Sequence, residues 1–183
     1  AGNSLGGWLA WEYAIDFPEK TDKLVLIDSA GIETDRHVPL PVRLARLPMA
    51  KYLMRFMLNR KTVTVFAKEV YAHPETVPEE ILDRYYDLFA REGNPEAFIA
   101  LVNTPFADRS QEIHTIQNET FIVWGEADKW LPVINGYRFL EMIPNASLLI
   151  YDDLGHVPME EAPQVTGNDV RAFLRGEKRV AVE

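Results

Sequence analysis

A serine hydroxyl becomes a useful nucleophile when a histidine takes its proton, and the histidine needs a carboxylate to hold it in the correct tautomer. Three stretches of this sequence supply those residue types. Gly2-Asn3-Ser4-Leu5-Gly6-Gly7 follows the pattern G-x-S-x-G. Glycines two before and two after the serine permit a tight strand-to-helix turn that strains Ser4 and leaves its hydroxyl exposed. The backbone N–H of Leu5, at the start of the helix, is then a candidate oxyanion donor. Trp124-Gly125-Glu126-Ala127-Asp128 puts an acid just beyond one apolar run, and Leu154-Gly155-His156 puts a histidine just beyond another. Serine, acid, histidine is the chain order expected when the serine sits on such a turn.

Each assignment has a rival. G-x-S-x-G alone is a common pattern, and its plain alternative is a glycine-rich helix start. Glu126 lies two residues from Asp128 but is expected to face solvent, so Asp128 is the preferred acid. His37, His73 and His114 have polar or proline neighbours and no partner pattern, and are read as surface histidines. His156 could be a satisfied structural histidine, yet Gly155 before it and the helix start at Pro158 suit a ring held over a sheet edge. Asp152 and Asp153 are read as solvated turn residues. Trp130, two residues after Asp128, is a candidate pocket wall.

The elements that must position these residues follow from periodicity. Residues 4–16 place Leu5, Trp8, Leu9, Glu12 and Tyr13 at spacings of three and four, which predicts a helix ended by Phe17-Pro18. Residues 23–28 form a short continuous apolar run, the mark of a strand buried on both faces. Residues 120–124 and 147–151 are runs of the same kind, with a helix expected over 133–143 between them and a closing helix over 158–174. Strands and helices alternating through short connectors predict a parallel sheet of the α/β class, with both Asp128 and His156 at strand C-terminal ends.

Residues 32–117 break the rhythm. They hold no comparable strand but several amphipathic stretches, 48–58, 62–71, 78–90 and 95–103, punctuated by prolines. This predicts a helical insertion, or lid, within a core made of 1–31 and 118–183. Its large apolar side chains, among them Tyr52, Phe56, Phe66, Tyr86 and Phe98, are expected mainly to pack helix on helix, with a subset roofing the serine. The tail from Arg175 is expected to fray.

Composition narrows the function classes. The 183 residues carry 19 Lys+Arg against 28 Asp+Glu, a formal net charge of −9, which opposes binding to a phosphate backbone. There is no cysteine, so thiolate zinc sites, a Cys nucleophile and disulfides are excluded, and a reducing, cytoplasmic setting is expected. The start at Ala1 leaves a signal peptide open. No apolar run approaches the roughly 20 residues of a membrane span. No metal or cofactor is expected, and the oligomeric state is left open.

Taken together, GNSLGG with WLAWEYAIDFPEKTDKLVLID, the loop WGEADKWLP and the loop DLGHVPMEEAP resemble the lid-bearing branch of the α/β-hydrolase superfamily, which includes carboxylesterases and C–C bond hydrolases of ring-cleavage products. The resemblance covers residues 1–31 and about 118–175. It implies Ser4 as nucleophile, Asp128 as acid, His156 as base and Leu5 N–H in the oxyanion hole. It also implies a small-molecule ester or ketone substrate with an apolar portion. Family members carry five strands up to the elbow and a His-Gly oxyanion loop, which implies that the first five strands are absent and that this chain is a C-terminal part, not itself a competent enzyme. The main expectation is hydrolysis of a carboxylic ester through an acyl-enzyme. A C–C bond hydrolase is the alternative, mildly favoured by Asn3 beside the serine, a pocket candidate, and disfavoured by Val157 where a tryptophan is typical. A non-catalytic binding module of the same fold is the reading from another class.

Overall fold

The computed structural model describes residues 1–32, 40–47, 49 and 59–177. The chain divides into two compact units, residues 1–34 with 108–183 and residues 35–107.

The first unit is built on one parallel four-stranded sheet in the order β1-β2-β3-β4, where β1 is Gly2–Asn3, β2 Lys23–Ile27, β3 Glu119–Gly125 and β4 Ala146–Tyr151. Leu26 of β2 stands level with Gly2 on one side and with Ile122 on the other, and Ile122 with Leu148. Three apolar runs imply three strands. The fourth, β1, is only two residues long and has no apolar pattern to betray it; it is a strand because Gly2 and Asn3 pair with Leu26 and Ile27 immediately ahead of Ser4.

Alternation along the strands divides the core into two layers. Leu24 and Leu26 of β2 with Ile122 and Trp124 of β3 face one side, where they pack with Trp11, Ala14, Phe139 and Ile143. Val25, Phe121 and Val123 face the other and meet Phe173. Burying both faces explains the unbroken apolar runs of β2 and β3. β4 differs: its residues are half-buried or exposed, because it pairs with a neighbour on one side only.

Three helices of this unit depart from the periodic reading. Helix α1, Leu5–Asp16, buries Gly7, Trp11 and Ala14, while Leu9 and Tyr13 are exposed. The face that meets the sheet thus combines Trp11 with the small residues Gly7 and Ala14, and leaves Leu9 and Tyr13 outside. The single closing helix expected over 158–174 is two helices, Pro158–Glu161 and Pro163–Leu174. Pro163 has no N–H to continue the first ladder and serves instead as the first residue of the second.

The second unit is helical over its described residues: α2 is Leu40–Ala45, α3 Arg60–Glu69, α4 Glu79–Phe89 and α5 Asn94–Asn103. Asn59 caps α3 by accepting from the Thr62 N–H at 3.0 Å. Arg60 ties α3 to α4 through Glu79 and Asp83, and Phe89 and Phe98 meet edge to face at 5.7 Å across α4 and α5. The Asn103 side chain donates to the Ala45 carbonyl at 3.1 Å and joins α5 to α2. The helix expected over 48–58, with Tyr52 and Phe56, and the histidine at 37 lie outside the described residues, as does the tail beyond Glu177. Back in the first unit, α6 is Ile134–Met142, between β3 and β4, and the closing pair are α7, Pro158–Glu161, and α8, Pro163–Leu174. Among the described residues no helix is long and apolar enough to cross a membrane.

Candidate functional site

Ser4 joins β1 to α1 at φ 53° and ψ −120°. A positive φ in a non-glycine residue costs of order 1–3 kcal/mol and survives only where the surroundings enforce it. Here the main chain is clamped on both sides: Ser4 N–H donates to Ile27 O at 3.1 Å, and Ser4 O accepts from Trp8 N–H at 3.1 Å and Ala30 N–H at 3.0 Å. The turn also requires glycine at position 2, because a Cβ there would lie 2.1 Å from the main chain of Gly6. Leu5 is the first residue of α1, where a backbone N–H has no acceptor within its own helix.

Asp128 and His156 come from the loops that follow β3 and β4. Asp128 Oδ2 accepts from His156 Nδ1 at 2.7 Å, with the Asp128 side chain fully buried and that of His156 4% exposed. The other oxygen, Oδ1, accepts from the N–H groups of Trp130 at 2.7 Å and Leu131 at 3.0 Å. An ionised carboxylate can only accept, so Nδ1 carries the hydrogen and Nε2 keeps its lone pair. Glu126 is exposed, as are His73 and His114, and so are Asp152 and Asp153.

The two loops are zipped together by main-chain bonds. Glu126 N–H donates to Tyr151 O and Ala127 N–H to Leu154 O, each at 3.0 Å. Gly155 N–H donates to Glu161 Oε1 at 2.7 Å, which ties the histidine loop to α7. The approach depends on Gly125, whose added Cβ would sit 2.1 Å from Gly155 O and 2.4 Å from Leu154 O. Because the obstacle is backbone, Gly125→Ala is expected to destabilise the protein by about 3 kcal/mol, read as a lower urea midpoint at unchanged m-value.

Asn3 and Trp130, both expected at a pocket, take distinct places. Asn3 directs its amide hydrogens to the main chain, donating to His156 O at 2.9 Å and Ile27 O at 3.2 Å. It is a strut between the elbow and the histidine loop. The Trp130 ring lies beside the His156 imidazole, with centroids 5.6 Å apart and planes tilted by 34°.

Asp28, at the end of β2, is the site residue that sequence reasoning misses, although an acid directly after an apolar strand is the same signal that marks Asp128. It is completely buried, adopts φ 41°, and accepts from Gly125 N–H through Oδ1 at 2.9 Å. Burial first, and then the neighbouring charge of Asp128, push its carboxyl well above the ordinary carboxylate range. One ligand atom each of Asp28, Asp128 and His156 lie within 4.8 Å of one another.

Comparison with known proteins converges on one family. A model described as the alpha/beta hydrolase family matches residues 1–167. The chain is 29% identical over 179 residues to a 2-hydroxy-6-oxononadienedioate/2-hydroxy-6-oxononatrienedioate hydrolase of Burkholderia vietnamiensis, covering 95% of this chain and 61% of that protein. It is 28% identical to Lipase 3 of a Moraxella species, covering 97% of this chain and 56% of the other. A meta-cleavage product hydrolase from Pseudomonas fluorescens superposes with a TM-score of 0.77 at 23% identity, over 96% of this chain and 64% of that one, which shows a shared fold. The chain spans about 60% of the length of the curated relatives it matches.

Proposed function

We propose, since the chain belongs to the alpha/beta hydrolase family, that the protein is a serine hydrolase in which Ser4 is the nucleophile, His156 the general base and Asp128 the acid that orients it. The observation that carries this is the buried Asp128–His156 pair at 2.7 Å, with its free nitrogen, on the same sheet edge as a serine held at positive φ. His156 Nε2 takes the Ser4 proton as Oγ attacks a substrate carbonyl, and the imidazolium is stabilised by Asp128. The same proton then goes to the leaving group, an acyl-enzyme remains, and water deprotonated by His156 releases it. Leu5 N–H, at the positive end of α1, faces the developing oxyanion.

For the substrate, relatives named as hydrolases of 2-hydroxy-6-oxo dienoates support C–C bond hydrolysis of a ring-cleavage product ahead of simple ester hydrolysis. In that reaction the dienol first ketonises, after which attack on the distal carbonyl breaks the adjacent C–C bond and the carbanion is protonated. Ester hydrolysis remains a second reading on two specific observations: Val157-Pro158 stands where the C–C hydrolase pattern has a tryptophan soon after the histidine, and Lipase 3 matches over 97% of the chain.

A fluorophosphonate probe tests the chemistry and a substrate pair tests the specificity. The intact protein is expected to acquire one covalent label, mapped by mass spectrometry to Ser4. It is expected to turn over a 2-hydroxy-6-oxo dienoate with a higher kcat/KM than a p-nitrophenyl ester of similar size. Absence of labelling overturns the serine mechanism and favours the binding-module reading; a higher kcat/KM for the ester overturns the C–C assignment alone.

A further inference from the structure

Among the described residues, Asp28 is the buried acid at this sheet edge that the mechanism above does not use. Its Oδ1 is satisfied by Gly125 N–H, but Oδ2 is buried without a hydrogen-bond partner. An ionised oxygen in that position would be an uncompensated charge beside a second carboxylate. The charged or titratable groups that act on it are Asp128 from the β3 loop and Glu161 from α7, both acidic, and neither relieves it. The cluster is completed by His156, whose Nδ1 is already committed to Asp128.

Lone-pair accounting indicates what relieves it. A carboxylate offers about four acceptor sites. Asp128 uses two on Oδ1, for Trp130 and Leu131, and one on Oδ2, for His156. One site is left, in a cluster whose members lie within 4.8 Å of one another. Resting on the serine-hydrolase reading, we propose that Asp28 is a neutral carboxylic acid whose Oδ2–H donates to Asp128, making Asp28 a positioning residue that holds the acid against His156. Two carboxylates in contact then share one proton and present a single negative charge to the imidazole. The direction in which burial and Asp128 move the Asp28 carboxyl agrees with this.

The arrangement explains the unusual backbone as well. Asp28 is held at φ 41° by its N–H bond to Val123 O at 2.9 Å, which keeps its side chain between the β2 and β3 ends, where Gly125 and the acid loop begin.

Infrared difference spectroscopy of the intact protein at pH 7, wild type against Asp28→Asn, tests the proton directly. The C=O stretch of a protonated carboxylic acid is expected in the wild type and missing in the variant. NMR then reads the positioning role through the low-field hydrogen of the His156 Nδ1–H bond. Asp28→Ala, which removes the donor, is expected to broaden that signal and lower kcat about tenfold with little change in KM. Asp28→Asn, which can still donate through its amide, is expected to restore the signal and most of the rate. Absence of the protonated-carboxyl band overturns the proposal, and so does a bound cation found in its place by metal analysis. An Asn variant whose NMR signal is no better than that of Ala overturns the positioning role. Neither spectroscopic measurement requires turnover, so an inactive wild type would refute the hydrolase reading while the protonation state of Asp28 is still decided by the infrared band.

Discussion

Ser4→Ala is expected to lower kcat by about five to six orders of magnitude and to abolish fluorophosphonate labelling. The serine is held at φ 53° by three main-chain hydrogen bonds that do not involve its side chain, so alanine inherits the same turn and loses only the hydroxyl. Everything that binds and polarises a carbonyl stays in place, including Leu5 N–H at the start of α1. What disappears is the covalent route, and the remaining rate is that of water attacking a bound substrate. KM is therefore expected to change little. Steady-state kinetics on the variant, with a thermal melt as the folding control, decide the matter; a loss smaller than about a hundredfold would mean that another group is the nucleophile.

Asp128→Asn is expected to cost about four orders of magnitude in kcat, for a different reason. The amide can replace the carboxylate without a void, and its oxygen still accepts from Trp130 and Leu131 N–H, as Asp128 Oδ1 does. Its nitrogen then faces His156 Nδ1 as a donor and forces the ring into the tautomer with hydrogen on Nε2. In that state the imidazole cannot accept from Ser4. The fold is expected to persist, since every main-chain bond of the loop remains. The size of the effect separates the two acids at this edge: an amide at 128 reverses a donor–acceptor pair, whereas an amide at 28 preserves one. Measuring kcat for both variants under identical conditions exposes the contrast, and equal losses would refute the division of roles.

Much of this layout is legible in the sequence because burial on both faces forces continuous apolar runs. Residues 23–28 and 120–124 declare themselves as strands, and a parallel sheet puts whatever follows each strand at one edge. The placement of Asp128 and His156 in loops at that edge follows from the rule. What escapes is whatever depends on partners distant in the chain. Asn3 reads as a pocket residue beside a serine, and nothing local reveals that its amide is bonded to the carbonyl of His156. Asp28 reads as the last residue of a strand, because periodicity reports which face a side chain takes and not which charges stand opposite it. The buried face of α1 escapes for a related reason: apolar content ranks Leu9 and Tyr13 above Gly7 and Ala14, yet Gly7 and Ala14 are buried beside Trp11 while Leu9 and Tyr13 stay exposed. Pro163 shows the converse, a strong local signal masked by the long periodic stretch around it.

The Asn3–His156 bond spans 153 positions of the chain, and it joins the neighbourhoods of two of the three residues on which the proposed chemistry depends. Closing so long a loop is entropically costly, although the cost grows only logarithmically with length, and long-range parallel pairings are slow to form. The nucleophile is therefore translated well before its base, and the elbow must wait through the synthesis of the helical unit and three further strands before its partner exists. Competence is therefore expected as one of the last events of folding. A chain interrupted anywhere before residue 156 has no His156 to make Ser4 reactive.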